Sequence, residues 1–505
     1  MRRHQSIWTA TAVMPQFSPL QENLHVEVCI VGAGIAGLTT AYALARAGKR
    51  VAVIDDGPIA GGMTQMTTAH LSNALDDRYF ELEKLHGRDA ARLAADSHTS
   101  AIDRIETIVR QERIACDFTR LDGYLFLAEG DTRETLEQEL AAAHRADLRG
   151  VRLLERAPFA SFNTGPCLRF PNQGQFHPLM YLARLAEAIE HEGGRIFTGS
   201  HADLIEGGVP ALVHVGKHVV TADAAVVATN VPVNDRVAIH TKQASYMTYV
   251  IGARVPRGSV PEVLSWDTGD PYHYVRLYDD LLIVGGEDHK TGQASDTLER
   301  YARLEAWARQ RFPMMGAVEY HWGGQVMETQ DYLAFIGRNP ADHDNVFVAT
   351  GDSGMGITHG TIAGMLLSDL ILGRNNPWEG LYDPSRVTLR AAGEFARENS
   401  NVALQYTEWL TGGDVASADE IAAGSGAILR RGLEKIAVYR DEQGRVHERL
   451  AKCPHLGCVV HWNPAETTWD CPCHGSRFDR YGKVINGPAN TDLAPAERSR
   501  EQRAA

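Results

Sequence analysis

The sequence predicts an α/β chain that ends in a small all-β module, and three observations carry the prediction. An apolar run over 26–31 enters a glycine-rich turn, Gly32-Ala-Gly34-Ile35-Ala36-Gly37, and a helical pattern follows over 35–47. A second apolar run over 345–350 enters another such turn, Gly351-Asp-Ser-Gly354-Met355-Gly356. Near the end, two short loops, Cys453-Pro-His455-Leu-Gly-Cys458 and Cys471-Pro-Cys473-His474-Gly-Ser476, take four of the seven cysteines.

The first unit reads as a complete βαβ start. Gly48 sits at the expected C-cap of its helix, and a buried strand follows over 51–54, closed by Asp55. Ile102, Ile105 and Val109 fall on one face of a later helix. From 117 to 170 the pattern turns strand-like and a second, α+β domain begins. A helix over 177–192 and a buried strand over 224–230 return to the first domain. Strand-rich stretches such as 246–253 and 281–284 return to the second, and a helix over 362–372 closes the first. The first domain is therefore discontinuous, over 1–115, 173–240 and 326–395, with the α+β domain at 116–172 and 241–325. A linker over 396–419, polar near Thr411-Gly-Gly413, leads to the all-β module at 420–505. There, strands over 427–431 and 435–439 precede a turn at 441–444.

Length and charge bound the function. A chain of 505 residues, 44% of them hydrophobic, fills several cores, and a net charge of −14 with no basic run argues against a nucleic-acid partner. No apolar stretch reaches the length of a membrane span. Arg2 and Arg3 have no apolar segment behind them, so no signal peptide is expected. Cys29, Cys116 and Cys167 are scattered, as reduced, buried thiols of a cytoplasmic protein would be.

Each motif has its chemistry. In the first turn Gly32 permits the sharp bend, Gly34 lets a pyrophosphate approach the backbone, and Gly37 lets helix and strand pack closely. The helix N-terminus offers free N–H groups to phosphate, and Asp55 is placed to accept from the adenosine ribose. The turn at 351–356 can aim helix dipole at a reduced, anionic flavin, although an ordinary tight turn has the same sequence. No second dinucleotide motif is present for a nicotinamide. In the cysteine loops Cys453, His455, Cys471 and His474 give two thiolates and two imidazoles, the ligand set of a Rieske [2Fe–2S] centre. Zinc and a plain pair of disulfides compete with that reading. Zinc knuckles favour Cys-x(2–4)-Cys pairs, and two disulfides leave both histidines without a role.

The first 390 or so residues resemble the D-amino-acid oxidase, glycine oxidase and sarcosine oxidase family. The resemblance rests on Val31-Gly-Ala-Gly-Ile-Ala-Gly-Leu38, Val227-Ala-Thr-Asn230 and Ala349-Thr-Gly-Asp-Ser-Gly-Met-Gly356. It implies FAD, held by Gly32, Gly34, Ile35, Ala36, Gly37, Asp55, Gly62, Thr68, Thr229, Gly351, Gly354, Met355, Gly356 and Thr358. It also implies hydride transfer from a C–N bond of a small amine or amino-acid-like substrate, with a β-sheet domain over the reactive flavin face. His70, Tyr246 and Tyr274 are the candidates to line that face, with structural hydrogen bonding as the alternative for each. Where family members carry Arg or Lys for a substrate carboxylate, this chain has Thr67-Thr-Ala-His70 and Thr358. Ile283 falls where sarcosine-oxidase relatives keep an oxygen-activating lysine, which implies a dehydrogenase. No cysteine or histidine is placed for a covalent flavin link, so the FAD is expected to be non-covalent.

Residues 420–495, including Gly487-Pro-Ala489, are similar to the quinol-oxidising Rieske proteins. That likeness implies a disulfide between Cys458 and Cys473 and a hydrogen bond from Ser476 to a cluster sulfur. Phe478 replaces a tyrosine donor, which implies a potential below that of the respiratory type and outside the upper part of the span of about −150 to +300 mV. The combined expectation is a cytoplasmic FAD dehydrogenase that passes electrons through the cluster to an external protein or quinone acceptor. Any membrane association would be peripheral, and the oligomeric state is left open. A reductase module serving a partner protein, and an oxidase with a structural or regulatory cluster, are the alternatives.

Overall fold

The computed structural model describes residues 3–234, 239–294, 296–340 and 342–496. Arg2 and the last residues of the C-terminal module, 497–505, lie outside them.

The dinucleotide domain is built on the strand Leu24–Val31. Its C-terminal half is buried at every position, which a strand covered on both faces by helices requires. It pairs in parallel with Val51–Ile54 on one side and His218–Val227 on the other. Arg195–Phe197 and Val346–Thr350 extend the sheet in parallel, and Phe335–Arg338 closes one edge antiparallel. Ile35–Arg46 and Gly356–Ile371 lie against each other closely: a Cβ at Gly364 would stand 2.3 Å from Thr39 Cγ2.

The α+β domain is a ten-stranded sheet. Val318–Thr329, Gln243–Arg254, Leu281–Lys290 and Tyr274–Tyr278 form its antiparallel centre. Thr119–Phe126, Cys167–Gln175 and His70–Leu71 continue it, so segments far apart in the chain share one sheet. Within the strand-like stretch 117–170 lies a 13-residue helix, Arg133–Arg145, which the sequence reading missed. Its apolar positions Leu136, Leu140 and Ala143 are spaced for a helix, but are few among charged residues.

The stretch expected to be a linker is mostly helical. Ala392–Gln405 and the 3₁₀ turn Tyr406–Leu410 run from the second domain to the cysteine loops. Lys290 and Glu398 form an ion pair at one end, and Trp409 Nε1 donates to Gly457 O at 3.0 Å at the other. The C-terminal module has a three-stranded sheet, Ser425–Arg431, Glu434–Arg440 and Val446–Leu450. A four-stranded sheet, His461–Asn463, Thr468–Asp470, Arg477–Asp479 and Val484–Asn486, carries the second cysteine loop.

Candidate functional site

The first glycine turn is fixed by backbone contacts that admit no side chain. Gly32 has φ +108°, and a Cβ there would lie 2.4 Å from Ala228 O; one at Gly37 would lie 1.8 Å from Gly32 O. Asp55 accepts from the N–H groups of Ala33 at 2.6 Å and Gly57 at 2.8 Å, bracing the turn from the next strand. Burial pushes its carboxyl up to about 6, and those two N–H groups pull the other way.

This turn opens a cavity of about 1030 Å³, above the ~300–1,000 Å³ usual for a drug-sized ligand. Gly32, Gly34, Ile35, Ala36, Asp55, Gly62, Thr68, Thr229, Gly351, Gly354, Met355 and Gly356 all line it. Gly37 and Thr358 do not: Gly37 serves helix–strand packing, and the Thr358 hydroxyl turns back to Met355 O at 3.0 Å. The turn, the helix N-terminus and Asp55 fit a dinucleotide, and the cavity volume leaves room for one.

Among the three proposed substrate-facing residues, His70 and Tyr274 line the cavity and Tyr246 does not. Tyr246 precedes Thr248 by two residues on its strand, and there its ring lies 6.0 Å from the Lys290 ammonium, outside the cavity. His70 contacts Thr68 Oγ1 at 3.0 Å and Val275 O at 3.3 Å. Burial first, and the Arg276 charge second, hold its imidazole near a pKa of about 3, so it is neutral. The Tyr274 hydroxyl meets Thr248 Oγ1 at 2.7 Å, and burial raises its pKa. Ile283, expected near the flavin, faces the apolar core instead.

The sequence reading missed the carboxylates of this cavity. Asp76, Asp288, Glu328 and Asp352 line it together with Trp266, Tyr272 and Tyr274. They come from a loop, two strands and the second glycine turn, so no local spacing announces them. Burial pushes all four upward, Asp288 to about 7 and Asp352 to about 6. Tyr272 donates to Asp76 at 2.7 Å, and one Asp288 carboxylate oxygen is buried with no hydrogen-bond partner. Lys483 is the one Lys or Arg lining the cavity among the described residues, and it belongs to the C-terminal module beside Asp492.

The four cysteine-loop side chains expected as iron ligands converge. The His455 and His474 rings are 4.9 Å apart, and the Cys453 and Cys471 thiols lie within hydrogen-bond reach of each other. Cys471 first, then the His455 N–H, the Ser476 hydroxyl and the Leu456 N–H, hold the Cys453 thiol below its usual range. Cys471 is pushed the other way, first by Cys453 and then by burial, so the pair favours thiolate at Cys453. Cys458 and Cys473 are joined by a disulfide that clips the two loops together. Ser476 Oγ also accepts from the Ala489 N–H at 3.0 Å, and Phe478 is fully buried. A third histidine was not anticipated: the buried His240 ring stands 4.9 Å from His455 and 6.2 Å from His474.

The module is docked on both other domains. His201 meets Asn490 O at 3.1 Å, and Asn490 donates to Ala202 O at 3.0 Å. Gln293 donates to Pro472 O at 3.0 Å, and Tyr301 to Glu466 at 3.0 Å. Residues 483–487 and 489–492 line the same cavity as the glycine turns, together with Asp55 and His201.

Residues 27–370 match the family described as FAD dependent oxidoreductase. The chain belongs to that family. Residues 412–497 match the Rieske [2Fe-2S] domain, so this FAD-dependent oxidoreductase carries an iron–sulfur domain at its C-terminal end. Over 495 residues, 96% of each chain, it is 32% identical to the Rieske 2Fe-2S iron-sulfur protein YhfW of Bacillus subtilis (strain 168). It is 28% identical to the gamma-glutamylputrescine oxidoreductase of Escherichia coli (strain K12) over 391 residues, 74% of this chain and 90% of that one. Glycine oxidase from Geobacillus kaustophilus has the same fold, with a TM-score of 0.59 at 17% identity over 72% of this chain and 100% of that one. No described helix is long and apolar enough to cross a membrane.

Proposed function

We propose that this FAD-dependent oxidoreductase is a dehydrogenase for a cationic amine, passing its electrons through the Rieske cluster to an external one-electron acceptor. The observation that carries the reading is the shared cavity. Two glycine turns, four buried carboxylates and a wall of the iron–sulfur domain enclose one space.

Bound FAD supplies the acceptor for a hydride, and a [2Fe–2S] cluster takes electrons one at a time. In this reading Gly32 and Gly34 admit the pyrophosphate, Asp55 fixes the adenosine end, and the turn at 351–356 directs N–H groups at the flavin. Cys453, His455, Cys471 and His474 hold the cluster. Asp76, Asp288, Glu328 and Asp352 favour a positively charged substrate over an amino acid, whose carboxylate they would repel. An ammonium must lose a proton before its C–N bond can be oxidised. Asp288, raised to about 7 and with one buried oxygen lacking a partner, is poised to take that proton at its carboxylate. His70, held neutral, orients its neighbours and carries no charge. The Escherichia coli relative, named for an amine derivative, agrees with this choice.

Anaerobic mixing with a panel of amines tests it. Flavin bleaching followed by cluster reduction is expected for an amine without a carboxylate near its nitrogen. Bleaching by amino acids alone would overturn the substrate class. Reduction only by a protein donor would make the chain a reductase module, and rapid reoxidation of the flavin by air would make it an oxidase.

A further inference from the structure

Gln325 stands where the cavity meets a cysteine loop. It lies on Val318–Thr329, lines the cavity with Gly324 and Val326, and is 2% exposed. Its Nε2 donates to Gly475 O at 2.6 Å and to Ser245 Oγ at 2.8 Å. Gly475 directly follows His474, and its own N–H donates to Cys471 O at 3.1 Å. One carboxamide therefore joins the cavity wall to the turn that bears Cys471 and His474.

The fit at this seam is tight. Gly475 has φ +81°, and a Cβ there would lie 2.3 Å from Ser245 Cβ and 2.9 Å from Gln325 Nε2. Ser245 is braced in turn by Thr291 at 2.7 Å. Other bonds across the seam lead elsewhere. Gln293 reaches Pro472 O but does not line the cavity. Ala489 lines the cavity and reaches Ser476, but at the adenosine end, where its neighbour Asn490 bonds Ala202 and Asp203. Gln325 adjoins Gly324, whose Cβ would touch Thr248 at 3.5 Å, and Thr248 meets the Tyr274 hydroxyl, so Gln325 belongs to the end of the cavity that holds Tyr274.

We propose that the Gln325–Gly475 hydrogen bond is the electron path from the cavity into the cluster loops, with Gln325 as the positioning residue that fixes the gap. The inference rests on the reading of the chain as a flavin-to-cluster enzyme. In each transfer the reduced flavin loses one electron and one ferric ion of the cluster becomes ferrous. The cluster gives that electron to a one-electron acceptor before it takes the second. The flavin's protons leave to water, and none crosses at Gln325, whose carboxamide does not titrate. The module needs no swing between a loading and a delivery position on the flavin side, because the contact is already made.

The test uses the full chain loaded with FAD and iron, and no substrate. The flavin is photoreduced anaerobically, and cluster reduction is followed by absorbance and by electron paramagnetic resonance. Gln325→Met keeps the side-chain length and removes the N–H donor. Gln325→Asn keeps the amide but is too short to reach, and serves if the first variant fails to fold. At equal flavin and iron content either should slow cluster reduction about tenfold, since misplacements of about 1 Å cost up to ~10²-fold in geometry-limited steps. The cluster potential and its resonance spectrum should stay those of the wild type, which a general loosening of the module would not allow. The wild-type rate should be unchanged by added sucrose. A wild-type rate in both variants, or slowing in proportion to viscosity, would overturn the proposal. Absence of any cluster reduction in the wild type would instead overturn the flavin-to-cluster reading itself.

Discussion

The cysteine loops and the acidic floor of the cavity both gather buried ionisable side chains, and they do so in opposite ways. In the loops the partners are close in sequence: Cys453 faces the N–H groups of His455 and Leu456, and Cys471 those of Cys473 and His474. Those donors lower the cost of thiolate before any metal arrives. On the floor, Asp76, Asp288, Glu328 and Asp352 come from four distant segments, and burial raises each of them. The loops are made ready for a cluster of fixed geometry. On the floor burial outweighs the nearby Arg78 and Arg300 charges, and under the proposed function a cationic substrate would offset the remainder.

The sharpest way to break this contrast is to remove a loop thiol. Cys471→Ser should abolish the iron–sulfur absorbance and resonance signals altogether while the yellow flavin remains. Retention of a normal cluster signal would refute the ligand assignment. Nearly as large an effect is expected at the first glycine turn. In Gly32→Ala the new methyl meets Ala228 O, and overpacking of this kind costs about 1–3 kcal/mol. Purified protein should lose most of its flavin and keep its cluster, as the ratio of flavin to iron would show.

A more moderate change probes the floor. Because Asp288 and Asp352 sit near 7 and 6, they are protonated in mild acid and charged above neutrality. Apparent affinity for a cationic amine should therefore rise as pH increases from 6 to 8. Asp288→Asn should flatten that rise and increase KM at pH 8 roughly tenfold or more, since a charged hydrogen bond contributes about 1.5–3 kcal/mol. For stability the sign reverses. A carboxyl whose pKa is raised by folding stabilises the protein at low pH, and that contribution is lost as pH climbs through the raised value. Asp288→Asn should accordingly raise Tm more at pH 8 than at pH 5. The smallest effect is expected at Phe478→Tyr, which adds a hydroxyl donor in the fully buried wall of the cluster loop. A redox titration should find the potential higher by about 50 mV, the equivalent of about 1 kcal/mol for one electron.

What could be read in advance follows the same divide. The turn at 32–37, the strand after it and Asp55 lie within one βαβ unit, so spacing alone announced them. The Cys453–Cys458 and Cys471–Ser476 loops carry their ligands within a few residues. Gln325, by contrast, is one polar residue on a β-strand, and only the docking of a domain 150 residues later places Gly475 against it. His240 likewise has no local signature; its neighbours His455 and His474 lie beyond the whole second domain. Tyr246 shows the reverse error. Its strand was correctly read, but which position along that strand meets the cavity depends on what covers the sheet, and the sequence does not carry that.

The roof over the adenosine end has a consequence for biogenesis. Lys483, Asn490 and Asp492 follow every strand of the first domain along the chain, yet they complete a chamber begun by Gly32. A nascent chain that has made every strand of the first domain still lacks that wall. The chamber therefore closes only once the C-terminal module has been made and docked, whether or not its cysteines carry iron.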